Sequence, residues 1–214
     1  MRGPVTKRLR YQVAVSLDGF IAGPKGEYDW IVMDRAIDFG ALYKEFDTVV
    51  MGRKTYEPAA SQRNHGAMRG LDVVVFSRTM PAATYPGVRI INDDPVEIVR
   101  ALKAKSGRDI WLFGGGKLFR TLLDAGLVDT VEVAVMPVLL SSGIPLLPPG
   151  ASTTLTLVDQ KFLASSGIVV LSYSVPGGIP APPIRFVRAA NAKPKKRSTP
   201  ATRTGKSTRK GRKQ

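Results

Sequence analysis

Apolar residues along this chain fall in short blocks, and the stretches between several of them have a helical period. Residues 9–16 (Leu-Arg-Tyr-Gln-Val-Ala-Val-Ser) predict a first strand, and the Gly-, Pro- and Asp-rich residues 17–29 a loop. Phe39, Leu42, Tyr43 and Phe46 stand at i, i+3, i+4 and i+7, which predicts a helix over 34–46. A strand over 47–51 and a helix from Gly52 to about Ser61 follow, then strands at 72–76 and 88–91. Asp94-Pro95 opens a helix that carries Val96, Val99 and Leu102 and stops at Ser106-Gly107. A strand at 109–113, a helix at 115–125 closed by Gly126, and a strand at 128–135 come next. After the Pro/Gly-rich loop 137–150, residues 153–163 and 167–175 predict a hairpin turning at Ala164-Ser165-Ser166-Gly167. Strands alternating with helices predict an α/β fold: a mostly parallel central sheet with helices on both faces, closed by a C-terminal antiparallel hairpin.

Composition divides the chain. Of 214 residues, 43% are hydrophobic, enough to bury a core through most of the length. No domain boundary is visible before about Pro176, so the expected layout is an arm at 1–8, one domain at 9–176, and a linker with a tail at 177–214. The net charge of +15 belongs mostly to that tail: residues 185–214 hold twelve Lys/Arg and no acid, so subtracting 12 leaves +3 for the rest. Residues 192–214 lack any aliphatic side chain larger than alanine and are expected to be disordered. A sequence-blind, salt-sensitive contact with nucleic acid through 185–214 is one use for such a tail, and a solubilising tail is another. With no cysteine and one histidine (His65), disulfides and thiol catalysis are excluded, and a zinc site is not expected. No apolar run reaches the roughly 18 residues of a membrane span, and Met1-Arg2-Gly3-Pro4 leads into no signal-type segment. A cytoplasmic protein without membrane contact is expected.

The chemistry sits where strands end. Ile110-Trp111-Leu112-Phe113 runs into Gly114-Gly115-Gly116 and then a helix, a side-chain-free turn whose helical N–H groups suit an anion. Val49-Val50-Met51 runs into Gly52-Arg53-Lys54-Thr55, with a planar guanidinium, a mobile ammonium and a hydroxyl. Val73-Val74-Val75-Phe76 runs into Ser77-Arg78-Thr79. Ligands of open α/β sheets bind beyond the carboxyl ends of the strands, so one ligand with several phosphates could touch all three ends.

These segments, with Val15-Ser16-Leu17-Asp18-Gly19-Phe20-Ile21-Ala22, Asp29-Trp30 and Tyr56-Glu57, resemble the dihydrofolate reductase superfamily. The branch they resemble more closely is that of the C-terminal reductase domain of the bifunctional riboflavin-biosynthesis protein, and the likeness covers roughly residues 9–175. The resemblance implies a single dihydrofolate-reductase-like domain that binds NADPH. Gly52, Arg53, Lys54 and Thr55 would then hold the adenine-side phosphates, with Arg53 or Arg78 near the 2′-phosphate and Phe76, Ser77 and Thr79 alongside. Phe113, Gly114, Gly115, Gly116, Lys117 and Leu118 would line the pyrophosphate and nicotinamide side, through a cis Gly114-Gly115 peptide. Ala14, Ile21 and Ala22 would contact the nicotinamide under a covering loop from Leu17 to Trp30. Relatives are often dimers, and the apolar segments 135–140 and 144–147 could serve as an interface or as a buried strand with its covering loop.

A reductase also needs a proton donor. If 34–46 is helical, Asp38 lies about 40° from Leu42, beside the apolar stripe, and Asp34 about 80° away. Asp38 is the preferred candidate, and Asp18, at the end of the first strand, is another. The resemblance implies an NADPH-dependent reductase of a pyrimidine- or pteridine-like compound, with 5-amino-6-(5-phosphoribosylamino)uracil-type reduction in riboflavin biosynthesis as the best-supported reaction. Dihydrofolate reduction is an alternative, and a nucleic-acid-associated protein recruited by its tail is a third.

Overall fold

The computed structural model describes residues 6–61 and 63–180. The linker and tail beyond Pro180, with the nucleic-acid contact proposed for them, lie outside the described residues.

In chain order the elements are β1 (Leu9–Ser16), β2 (Phe20–Ala22), α1 (Phe39–Tyr43), β3 (Phe46–Gly52), α2 (Arg53–Ala60), β4 (Asp72–Phe76), β5 (Ala83–Tyr85), β6 (Val88–Ile91), α3 (Pro95–Lys103), β7 (Asp109–Gly114), α4 (Gly116–Asp124), β8 (Thr130–Met136), β9 (Ile144–Pro145), β10 (Thr156–Leu163) and β11 (Ile168–Ser174). One nine-stranded sheet runs β10-β11-β8-β1-β7-β3-β4-β6-β5. From β8 to β6 every pairing is parallel, and β11, β10 and β5 add antiparallel edges. The expected α/β architecture and closing hairpin are present. The short strands β2, β5 and β9 lie in stretches too polar or too brief to carry a period.

Alternation along the strands sends side chains to two faces. On one face Tyr11, Val15, Val50, Val74 and Leu112 meet α3 and α4 through Val99, Leu102, Leu118, Phe119, Leu122 and Leu123. On the other, Val49, Met51, Val73, Val75 and Trp111 meet Tyr56 of α2 and Leu42 of α1. Beside that second cluster, a third joins Met136, Leu163, Ile168 and Val170 to Ala14, Trp30, Ile31 and Ile37.

The helix expected over 34–46 is much shorter. Asp34 Oδ1 accepts the Ala36 N–H at 2.7 Å, and Asp38 Oδ1 accepts the Ala41 N–H at 2.9 Å. Each carboxylate closes its own local turn, and such bonds compete with helical ones. Asp38 is therefore the N-cap of α1, and Phe46, the last residue of the apolar stripe, belongs to β3. The α2 and α4 expectations hold within one residue at each end, and α3 ends at Lys103, short of the expected stop at Ser106-Gly107; Asp94 caps α3 with Pro95 in its first turn.

Between the two clusters on the α1–α2 face lies a buried ionic seam. Arg10 is 1% exposed and Glu132 3%. The Arg10 Nε and Nη2 each donate to Glu132 at 2.8 Å, and Nη1 donates to Glu45 at 2.5 Å and Asp109 at 3.3 Å. The Phe46 ring lies 4.8 Å from the guanidinium carbon. Burial pulls the Arg10 pKa down, but the hydrogen bonds and charges of Glu132 and Glu45 outweigh it and raise the value. Removing one partner of such a pair strands the other's charge. Arg10→Met is expected to cost about 3–5 kcal/mol in denaturant unfolding, and the double change Arg10→Met/Glu132→Leu to recover only part of that loss, because Glu45 still loses Arg10 and Gln12 and Thr130 lose Glu132.

Candidate active site at the parting of two central strands

β1 lies between β8 and β7, and its two ladders differ. Against β8 the pairing runs from Arg10↔Thr130 to Ser16↔Met136. Against β7 it runs only from Leu9↔Ile110 to Tyr11↔Leu112, and beyond that the strands part. The Gln12 carbonyl accepts instead the indole N–H of Trp111 at 3.2 Å. The two strands therefore part towards the carboxyl ends of the parallel strands, where open α/β sheets form a ligand crevice, and the glycine turn would be one wall of it.

Register brings the strand ends together. Gly52 pairs with Phe76, and Met51 with Gly114. Gly52 is the N-cap of α2 and Gly115 that of α4; neither helix start has a side-chain cap, so their first-turn N–H groups are open to a ligand. The Gly114-Gly115 peptide is cis, as the resemblance implied, and Gly114 has φ 128°, open to glycine and strained for other residues. A Cβ built on Gly115 would lie 3.5 Å from Thr55 Oγ1 and 4.0 Å from Ile21 Cδ1. The start of α2, the glycine turn and the loop after β1 thus converge on one spot.

That loop is held from outside. β2 pairs with β9 through Phe20↔Pro145 and Ala22↔Ile144, and the Leu146 N–H donates to the Gly19 carbonyl at 2.9 Å. Residues 145–148 rest on the start of α4: a Cβ on Gly116 would meet the Pro145 oxygen at 2.7 Å and the Leu146 oxygen at 3.0 Å. Gly116 therefore serves the packing of this strap.

The sequence-predicted residues separate by position. Gly52, Thr55, Gly114, Gly115 and Ile21 meet at the turn, with Ala22 in β2 and Ala14 half-buried on β1. Phe76 and Leu118 turn their side chains into the core, and Phe113 packs partly against the α2-side cluster. Arg53 is paired with Glu57 at 2.5 Å, and Lys54, Arg78, Thr79 and Lys117 are exposed. Ser77 is buried; its hydroxyl accepts the Thr79 and Met80 N–H groups at 3.2 and 2.8 Å, shaping the turn that presents Arg78.

The three acids differ in what occupies their oxygens. Asp18 accepts the Ser16 hydroxyl at 2.6 Å, the Leu140 N–H at 3.1 Å and the Ser141 N–H at 2.7 Å. The Ser16 bond, with the two backbone bonds, holds its carboxyl below the usual range. Asp34 is 7% exposed and accepts the Ser165 and Ser166 hydroxyls at 2.6 Å each; those two bonds, then the Ala36 N–H, lower its pKa. Asp38 is half-buried and uses Oδ1 for the α1 cap; its Oδ2 has no hydrogen bond among the described residues. One participant was not picked out from sequence: Gln12, whose place in a central strand was its signal; the strap at 144–148 takes in the segment 144–147, which the sequence offered as an interface or a covering loop.

Gly116→Ala is expected to destabilise the fold by about 1–3 kcal/mol in thermal unfolding, because backbone oxygens cannot step aside as side chains do. Gly52→Ala, whose Cβ would come no nearer than 4.0 Å to the Gly114 oxygen, is expected to lose far less. The lowered pKa of Asp18 means its clamp contributes stability above the ordinary carboxylate value and loses it as pH falls through the lower folded value. Melting temperatures of wild type and Asp18→Asn should therefore stay separated from pH 5 to 8 and converge only as pH falls below the ordinary carboxylate value.

Comparison with known proteins places this geometry in a family. The chain matches the RibD C-terminal domain family over residues 7–171. It is 34% identical over 179 residues to the uncharacterized protein YyaP of Bacillus subtilis (strain 168), covering 78% of this chain and 94% of that one. It is 28% identical over 154 residues to riboflavin biosynthesis protein RibD of Mycobacterium tuberculosis (strain ATCC 25618 / H37Rv), covering 64% of this chain but only 44% of the relative, so it spans less than half of that protein. A solved structure from Shewanella sp. PV-4, named for riboflavin biosynthesis, superimposes with a TM-score of 0.67 at 26% identity, covering 78% of this chain and 98% of that one. Dihydrofolate reductase from Enterococcus faecalis, solved with NADP(H), shares the fold with a TM-score of 0.54 at 20% identity over 78% of this chain and 96% of that one. With its glycine turn, parted central strands and nine-stranded sheet, the chain belongs to the RibD C-terminal domain family and has a dihydrofolate-reductase-like fold.

Proposed function

We propose that the chain is an NADPH-dependent reductase of a pyrimidine-like substrate, of the 5-amino-6-(5-phosphoribosylamino)uracil type. The observation that carries this reading is the meeting of two uncapped, glycine-led helix starts and Thr55 at the Gly114-Gly115 turn, beneath Ile21. Those residues fit a dinucleotide: open N–H groups for phosphates, a turn without side chains, and an apolar contact above it. Membership of the RibD C-terminal domain family supports the same assignment.

NADPH, when bound, supplies a hydride to the substrate. The chain's own part is to bind, orient and protonate. Gly115 and Gly116 offer the first N–H groups of α4 to the pyrophosphate, with Lys117 beside them. Gly52, Lys54 and Thr55 serve the phosphates at the other wall, and Arg53 or Arg78 the 2′-phosphate; both arginines are in reach of solvent, and Arg53 exchanges its exposed Glu57 partner at little cost. Ala14, Ile21 and Ala22 border the nicotinamide, and the strap on Gly116 keeps the covering loop closed against water. Of the three acids, Asp38 has an oxygen free to pass a proton, whereas Asp18 and Asp34 hold loops.

Thermal unfolding with and without millimolar NADPH tests the cofactor: the melting temperature is expected to rise, and no shift would reject the reading. Turnover of the ribosylamino-pyrimidine should exceed turnover of dihydrofolate, and the reverse ranking would favour a dihydrofolate reductase. Asp38→Asn still caps α1, since Asn and Asp cap about equally well, so kcat is expected to fall by about 100-fold or more while the NADPH shift persists. A homodimer forms part of this reading. Leu139 is exposed while Val138, Leu146 and Leu147 pack inside the protomer, so any interface through this stretch is narrower than its apolar run suggests, and sedimentation would measure it.

A further inference from the structure

The Gln12 amide is held in one orientation, and its oxygen has no partner among the described residues. Glu132 accepts two donors at each oxygen: Arg10 Nε and the Thr130 hydroxyl at Oε1, and Arg10 Nη2 and Gln12 Nε2 at Oε2. An ionised carboxylate has about four acceptor sites and donates nothing, so Gln12 must turn its NH2 group towards Glu132. Its Oε1 is then fixed as an acceptor; it is buried, and no hydrogen bond reaches it among the described residues. Leaving a buried acceptor unmade costs on the order of 1–3 kcal/mol, and such exceptions call for an explanation.

Its place in the fold supplies one. Gln12 is the first residue of β1 beyond the last pair with β7, where the crevice begins. Ala14 lies two residues on along the same face, about 7 Å away at strand spacing. Both residues keep part of their surface open although β1 is central in the sheet. An aromatic wall flanks them: the Trp111 indole is bonded to the Gln12 carbonyl, and Phe113, half-buried, meets Trp111 edge-on with ring centroids 5.1 Å apart.

We propose that Gln12 is a specificity-determining residue whose amide oxygen accepts a hydrogen bond from a ring N–H of a planar heterocycle in the crevice. This rests on the reading that the crevice takes a heterocyclic substrate. Glu132 and, behind it, Arg10 are positioning residues: they do not touch the ligand but fix which end of the amide faces it. A ring whose nitrogens are alkylated leaves the acceptor unmatched and binds more weakly.

The test uses 5,6-diaminouracil and its 1,3-dimethyl analogue, which lacks the ring N–H groups, titrated calorimetrically into the full chain with and without NADPH. The wild type is expected to prefer 5,6-diaminouracil by about tenfold, the worth of one hydrogen bond. Gln12→Leu and Gln12→Lys should both reduce that preference to within about twofold. The lysine variant still donates to Glu132 but has no acceptor, so it separates the loss of the oxygen from damage to the seam; retained thermal unfolding shows that each variant is folded. Equal binding of both probes to the wild type, binding of neither, or an undiminished preference in the folded variants would overturn the proposal. Absence of an NADPH effect alongside an intact probe preference would overturn the cofactor assignment and leave Gln12 standing.

Discussion

Everything at the site follows from where β1 stops pairing with β7. A central strand bonded on both sides leaves no room for a ligand, and one bonded on a single side exposes its backbone and alternate side chains. The ladder to β8 carries the sheet onward to Ser16 while the ladder to β7 ends at Tyr11. Trp111 satisfies the carbonyl left over at Gln12, which stabilises the parted strands without filling the space ahead of them. The glycine turn of β7, the start of α2 and the loop after β1 then border one opening because they lie at the same end of neighbouring parallel strands.

Two kinds of force hold that opening. Apolar packing fixes the helices on either face, and the Arg10–Glu132 seam fills the gap between two clusters on the α1–α2 face. A seam of charges is a costly filling unless each charge is matched, and here Glu45 and Asp109 occupy the remaining guanidinium donor. The benefit is orientation: a saturated carboxylate dictates which end of its neighbour's amide faces it, and apolar packing cannot do that.

Much of the fold was legible in the sequence because its strands are long and apolar and its helices amphipathic. The three strand ends with glycine, cation and hydroxyl chemistry were legible for the same reason, since strand–glycine–helix is a local pattern. Residues 34–46 misled: four apolar residues kept a helical period while Asp34 and Asp38 closed turns of their own on Ala36 and Ala41. The roles of the acids were not legible either. Whether a carboxylate clamps a loop or keeps an oxygen free depends on partners far along the chain, such as Ser141, 123 residues from Asp18, and Ser165, 131 residues from Asp34. Gln12 reads as an ordinary polar residue until Glu132 is placed beside it by the register of β1 and β8.

The strap on Gly116 also limits how the loop after β1 can move. The covering loop is pinned to residues 138–146 at Leu17, Asp18, Gly19 and β2, so its first third has no hinge of its own. Trp30 and Ile31, further along, are packed against the hairpin side of the sheet. Only the span between them, around Lys25 and Tyr28, is exposed and free of such ties. Swinging the whole loop aside would therefore require breaking a strand pair, whereas bending the short span around Lys25 and Tyr28 would not.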